Sequence, residues 1–172
     1  MRDAIAGAWL YSLILVFVVI LVAFIAISIN YNKTYKLKTT VVNIIEEYQG
    51  VNPESVKKVG GFLASNAFKT ERYCNKVVNK GERYVGITDG KLSPMYESGS
   101  PAEKTAKPQQ VCISRDAHTS NYDGKSAYTD YYYNIYMSFD FSLPVFGDIF
   151  KFSVNGSTNA IYYPVDTNNW GN

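Results

Sequence analysis

Histidine is almost missing from this chain, cysteine is confined to a pair, and charge is thin. His118 stands alone, Cys74 and Cys112 are the only thiols, and Asp, Glu, Lys and Arg make up 19% of 172 residues. An average domain carries about 25%. A Cys–His nucleophile would have to combine His118 with one of the two cysteines, and those cysteines read better as a structural pair. His118 itself lies in "RDAHTSNYDG", which has the composition of a surface loop. There is no glycine-rich phosphate cradle and no convincing carboxylate pair. Asn121, Asp123 and Asp130 offer oxygen ligands, but they lack the spacing and closing Glu of a calcium loop and read as an Asx-rich turn. The expectation is a protein that is not an enzyme, with no catalytic residue, metal, cofactor or small-molecule substrate. A net charge of +2 gives no nucleic-acid signature.

What the chain does have is a long apolar run. Ala4 to Ile29 passes 26 residues without a charged side chain. As a helix this reaches about 39 Å, more than the roughly 30 Å hydrocarbon layer. A secretory signal needs an apolar centre of only about 7–15 residues. The segment therefore reads as an uncleaved membrane span over residues 1–31, with Ala26-Ile27-Ser28 as the alternative, a small-residue cleavage site. Trp9 and Tyr11 at one end, and Tyr31 and Tyr35 at the other, suit the two membrane interfaces. Ala4, Gly7 and Ala8 either permit close helix approach in the membrane or are an ordinary start to a span.

Two signals conflict over topology. Lys33, Lys36 and Lys38 follow the span and, by the positive-inside rule, draw the C-terminal part into the cytosol. The paired cysteines and a head rich in Tyr and Asn favour an oxidising, extracytoplasmic compartment. The expected arrangement places the N-terminus inside and the head domain outside, at the cell surface.

Beyond the lysines, Leu37, Val41, Ile44, Ile45 and Tyr48 recur at helical spacing, with Lys38, Thr39, Asn43, Glu46 and Glu47 on the opposite face. Residues 32–50 thus read as an amphipathic continuation of the same helix, terminated at Gly50, and residues 51–172 as an α+β head. Asn52-Pro53-Glu54 starts a second helix, in which Gly60-Gly61 is either a weak point or a place of close packing. "RYCNKVV", "RYVGIT" and "QVCIS" read as strands, and "DGKLSPMYESGSPAEKTAKPQQ" as loop. Bridging Cys74 to Cys112 would close that loop; two separately buried thiols are the alternative. In "YYNIYMSFDFSLP" apolar and polar residues alternate, and "IFKFSVNGS" alternates again after a turn. These two strands form an expected antiparallel hairpin, with Phe139, Phe141, Phe150 and Phe152 supplying an apolar face for the amphipathic helix to cover. The fold class is therefore α+β: a long N-terminal helix, transmembrane then amphipathic, packed on an antiparallel sheet with a C-terminal hairpin.

That arrangement resembles the type IV pilins, and within them the TadE-like pseudopilins of tight-adherence pilus systems. The residues that carry the closer resemblance are "FDFSLPVFGDIFKFSV", Phe139 to Val154. The resemblance implies cleavage after a Gly by a membrane peptidase, which makes Gly7 and Ala8 the candidate processing site. It also implies a Glu at the fifth mature position, where this chain has Ser12, a departure that fits a minor or priming subunit, or an unprocessed anchored component, better than a major subunit. Implied partners are the membrane, further copies of the chain and other pilin-like subunits. The competing reading is a single-pass tethered binding module, a secretion-system component or an adhesin, with Tyr128, Tyr131, Tyr132, Tyr133 and Tyr136 as an aromatic platform or simply as strand formers.

Overall fold

Helix α1 runs unbroken over Arg2–Glu47, 46 residues, in the computed structural model of the chain. The structure describes residues 2–122, 125–143, 147–166 and 170; side chains of residues 2–8, 120–128 and 141–151 lie outside the description. The helix ends in a Schellman cap, in which the Gly50 amide donates to the Ile45 carbonyl at 2.9 Å and the Gln49 amide to Glu46 at 3.0 Å. The left-handed residue of that cap is Gln49, with φ 52°, and Gly50 follows it. The terminator foreseen at Gly50 is thus its second residue.

Helix α2, Pro53–Ser65, begins where the capping signal places it. The Asn52 carboxamide accepts from the Glu54 and Ser55 amides, and the Ser55 hydroxyl accepts from the Asn52 amide. This reciprocal box satisfies donors that the first helical turn otherwise leaves orphaned. Val56, Val59 and Leu63 form its buried side. Gly60 lies directly against the backbone of Gly90, leaving no room for a side chain, whereas Gly61 faces open space. Of the two readings of the glycine pair, close packing holds for Gly60.

Among the described residues six strands form one antiparallel sheet in the order β2-β1-β4-β5-β6, with the short β3 also paired to β1. They are β1 Arg83–Thr88, β2 Lys91–Leu92, β3 Tyr96–Glu97, β4 Val111–Tyr122, β5 Lys125–Leu143 and β6 Gly147–Ser157. The β5–β6 hairpin is the one the alternation predicts, pairing Phe139 with Phe152 and Phe141 with Phe150. The head is α+β, with the helices on one face of this sheet and the smaller Cys74–Cys112 cluster on the other. Leu37, Val41, Ile44 and Ile45 of α1 share its core with Val59, Leu63, Ile87, Ile113, Ile135, Met137 and Phe139.

Three expectations are corrected. "RYCNKVV" is not a strand: Cys74–Lys76 is a 3-10 turn, and Arg72 makes only an isolated bridge, to Gln109 just before β4. The amides of Val77 and Val78 both donate to the Cys74 carbonyl, so they are satisfied locally instead of in a ladder. Second, "QVCIS" does not stop at Ser114. β4 continues to Tyr122, so His118 lies in a strand opposite Asp130, not in a loop. Asn121 pairs with Ser126 in the same ladder, while Asp123 lies outside the described residues. Third, the segment expected to be loop contains β2, β3 and the 3-10 helix Pro101–Thr105. Asp89 and Gly90 turn β1 into β2 with φ 50° and 70°, the two positive values that a type I′ turn requires.

Candidate functional site: the seam between helix and sheet

Along α1 the environment changes abruptly. From Trp9 to Ile29 the large apolar side chains other than the half-buried Ile27 are bare: Trp9 is 75% exposed, Phe24 67% and Ile29 62%. Among the described residues this is the one helix long and apolar enough to cross a membrane. From Thr34 onward one face is covered, and Val41 and Ile45 are completely buried. Tyr48, also expected in the seam, packs partly buried against the same core.

The seam has a less apolar centre than the periodicity predicts. Lys38, expected on the open face, is 8% exposed. Its aliphatic stem occupies the space that a side chain at Gly156 of β6 would take, and its ammonium lies 4.1 Å from the centre of the Tyr35 ring. A lysine can be accommodated so because its stem is apolar and its charge can be carried to an aromatic face at the rim. At the end of the seam nearest the bare helix, the Tyr31 ring meets the edge of Phe139 at 6.3 Å, and Phe139 stacks on Phe152 at 5.2 Å. Phe139 is buried and Phe152 is 36% exposed. Phe141 and Phe150 pair in the ladder, and their side chains are outside the described set.

The opposite end of the seam is closed by the segment after β6. Asp166 accepts from the Val51 amide at 2.7 Å, the Tyr133 hydroxyl at 2.6 Å and the Arg115 guanidinium at 2.9 Å. Arg115 also lies over the rings of Tyr131 and Trp170, and the Trp170 carbonyl accepts from Arg83 at 2.6 Å. Further ties join α1 to this segment: the Asn159 amide donates to Glu46, and the Val165 amide to the Gln49 carbonyl. Burial, then the hydrogen bond to Asp166, raises the Tyr133 hydroxyl above its ordinary value of 10.0. Nothing in the sequence patterning marked Asp166, because its partners Val51, Arg115 and Tyr133 come from three separated parts of the chain.

Cys74 and Cys112 form the expected disulfide. It packs with Val78 and Tyr84, and with Tyr136 from β5. The Tyr84 hydroxyl donates to Glu103 at 2.7 Å, and burial followed by that bond raises it above 10.0. The tyrosine cluster is largely absorbed by such packing: Tyr133 is buried, Tyr131 lies under Arg115 and Tyr136 against the disulfide. Gly7 and Ala8 fall inside α1. Among the described residues no three His, Cys, Asp or Glu side chains come together as a metal site. No protein-family model, curated protein or solved structure matches the chain.

Proposed function

We propose that this chain is a membrane-anchored, pilin-like structural subunit, a minor pilin or pseudopilin of a surface filament or of its assembly machinery, acting without enzymatic chemistry. One observation carries the reading: a single 46-residue helix is bare and apolar in its first half and roofed by a sheet in its second. A helix apolar all round belongs in lipid or among like helices, and the rigid junction transmits its position to the head. The likeness to TadE-like pseudopilins rests on this architecture and on the Phe139–Val154 hairpin. The disulfide supports a head outside the cytosol, since such bonds persist in oxidising compartments, and this outweighs the basic cluster after the span.

In this reading the bare helix packs against the membrane helices of other subunits, and the head makes contacts outside. Photo-crosslinkers placed at Val18 and Phe24 in native membranes should capture a second copy or another pilin-like chain. Monomers alone at every position would leave a tethered binding module in its place.

A further inference from the structure

The three lysines after the apolar run have different surroundings. Lys38 is spent on the fold: it is buried beside Gly156, with its ammonium on the Tyr35 ring. Lys33 and Lys36 are exposed, and at a spacing of i, i+3 they share one face of α1. Among the described residues neither makes an ion pair. No acid interrupts the chain between Asp3 and Glu46, and Glu46 stands about 15 Å farther along the helix than Lys36. Asp140 follows Phe139 on β5, and strand alternation turns it to the face of the sheet away from α1. The pair is therefore an uncompensated positive patch.

Its height above the membrane follows from the helix. A hydrocarbon layer of roughly 30 Å takes about 20 helical residues, which counted from the interfacial Trp9 ends near Ser28. Ser28, Asn30 and Thr34 turn their side chains back to helix carbonyls one turn earlier, at 3.0 Å each. Lys33 stands about 7 Å past that boundary and Lys36 about 12 Å, against a headgroup layer of roughly 5–8 Å. Helical side chains lean toward the N-terminus, here toward the membrane, and a lysine stem carries its charge back to the interface. Both ammoniums thus reach the level of lipid phosphate. The exposed rings of Tyr31 and Tyr35, stacked at 6.4 Å, stand at the same level.

We propose that Lys33 and Lys36 form a binding site for anionic phospholipid headgroups in the leaflet from which the helix emerges. Charge complementarity selects the occupant. Phosphodiester is the fixed anion at that depth, and a headgroup with net negative charge keeps the attraction that a zwitterionic one cancels. The site also sets the depth of the helix. The apolar run of 26 residues can slide in a layer that needs about 20, and the lysine pair stops it at one position. The basic cluster then fastens the head at the membrane surface instead of drawing it into the cytosol.

The inference rests on the helix being retained in the membrane, and the test separates the two. Full-length protein sits in phosphatidylcholine vesicles holding a dilute nitroxide lipid, either phosphatidylglycerol or phosphatidylcholine, with the nitroxide near the headgroup. A fluorophore is placed at N32C, between the lysines, or at V18C, inside the span. Quenching at V18C reports insertion. At N32C the phosphatidylglycerol quencher should be enriched over the phosphatidylcholine one by about fivefold for each lysine. Lys33→Gln with Lys36→Gln should abolish the enrichment, as should high salt, and Lys33→Arg with Lys36→Arg should keep it. Equal quenching by the two lipids at N32C overturns the proposal and leaves the anchor standing. Enrichment that survives the Gln pair overturns it by placing the charge elsewhere. Loss of the enrichment to free glycerol phosphate at constant ionic strength overturns it in favour of a soluble anion. Absence of quenching at V18C removes the anchor, and the lipid site with it.

Discussion

Asp166 ties together the end of α1, β4 and β5 by accepting from Val51, Arg115 and Tyr133. Its side chain is 6% exposed and that of Arg115 12%, so removing the carboxylate breaks a largely buried ion pair and leaves the Val51 amide and Tyr133 hydroxyl without their acceptor. Asp166→Ala is expected to cost about 3–5 kcal/mol of head stability, read as a lowered midpoint of thermal unfolding in detergent. The two buried tyrosines make a prediction of a different kind. Tyr133 and Tyr84 hold their protons above the unfolded value of 10.0. Above that pH the unfolded chain binds fewer protons than the folded one, so stability is fully present below pH 10 and falls as pH rises further. Alkaline titration of the unfolding midpoint should show this fall, and Tyr133→Phe with Tyr84→Phe should flatten it. Backbone strain supplies a gain instead: Ala67 closes α2 with φ 51°, where glycine is free of the Cβ clash. Ala67→Gly should stabilise the head by about 1 kcal/mol, measured by the same unfolding midpoint.

The two halves of α1 should respond differently to the same change. Ile45→Ala empties a fully buried position and is expected to cost about 2–5 kcal/mol. Ile25→Ala, at a position 57% exposed, should leave head unfolding unchanged. Reducing the Cys74–Cys112 bond, which spans 38 residues, should cost about 4 kcal/mol on the loop-entropy model. What the sequence made legible follows the same division. The α1 stripe, the Asn52 cap, β1 and the β5–β6 hairpin announce themselves because one period decides each of them. The outer part of β4 was hidden because Asp116, Ala117, His118 and Thr119 are all exposed. No face alternates there, and pairing with β5 alone makes it a strand. Lys38 misled for a related reason: its charge assigns it to water, while its stem fills the gap above Gly156. The Asp89-Gly90 turn carried a readable hairpin signal, overshadowed by the Pro- and Ser-rich composition around it.

At the scale of the molecule, a rod with an apolar half and a roofed half holds the head at a defined distance from whatever surrounds the bare part. The roof is pinned at both ends, by the Tyr31–Phe139–Phe152 rings near the bare helix and by Asp166 at the far end. Cutting the chain at Ser28 would remove most of the bare surface while leaving Thr34 to Tyr48 in place on the sheet. The freed head would then retain its core, and the membrane would lose its hold.

N-terminal sequencing of the protein extracted from its native membranes therefore tests the account most directly. The account predicts a mature chain that keeps the apolar helix, beginning at Met1 or, if processed at the candidate site, at Ala8. A mature chain beginning at Ile29, recovered without detergent, would contradict it.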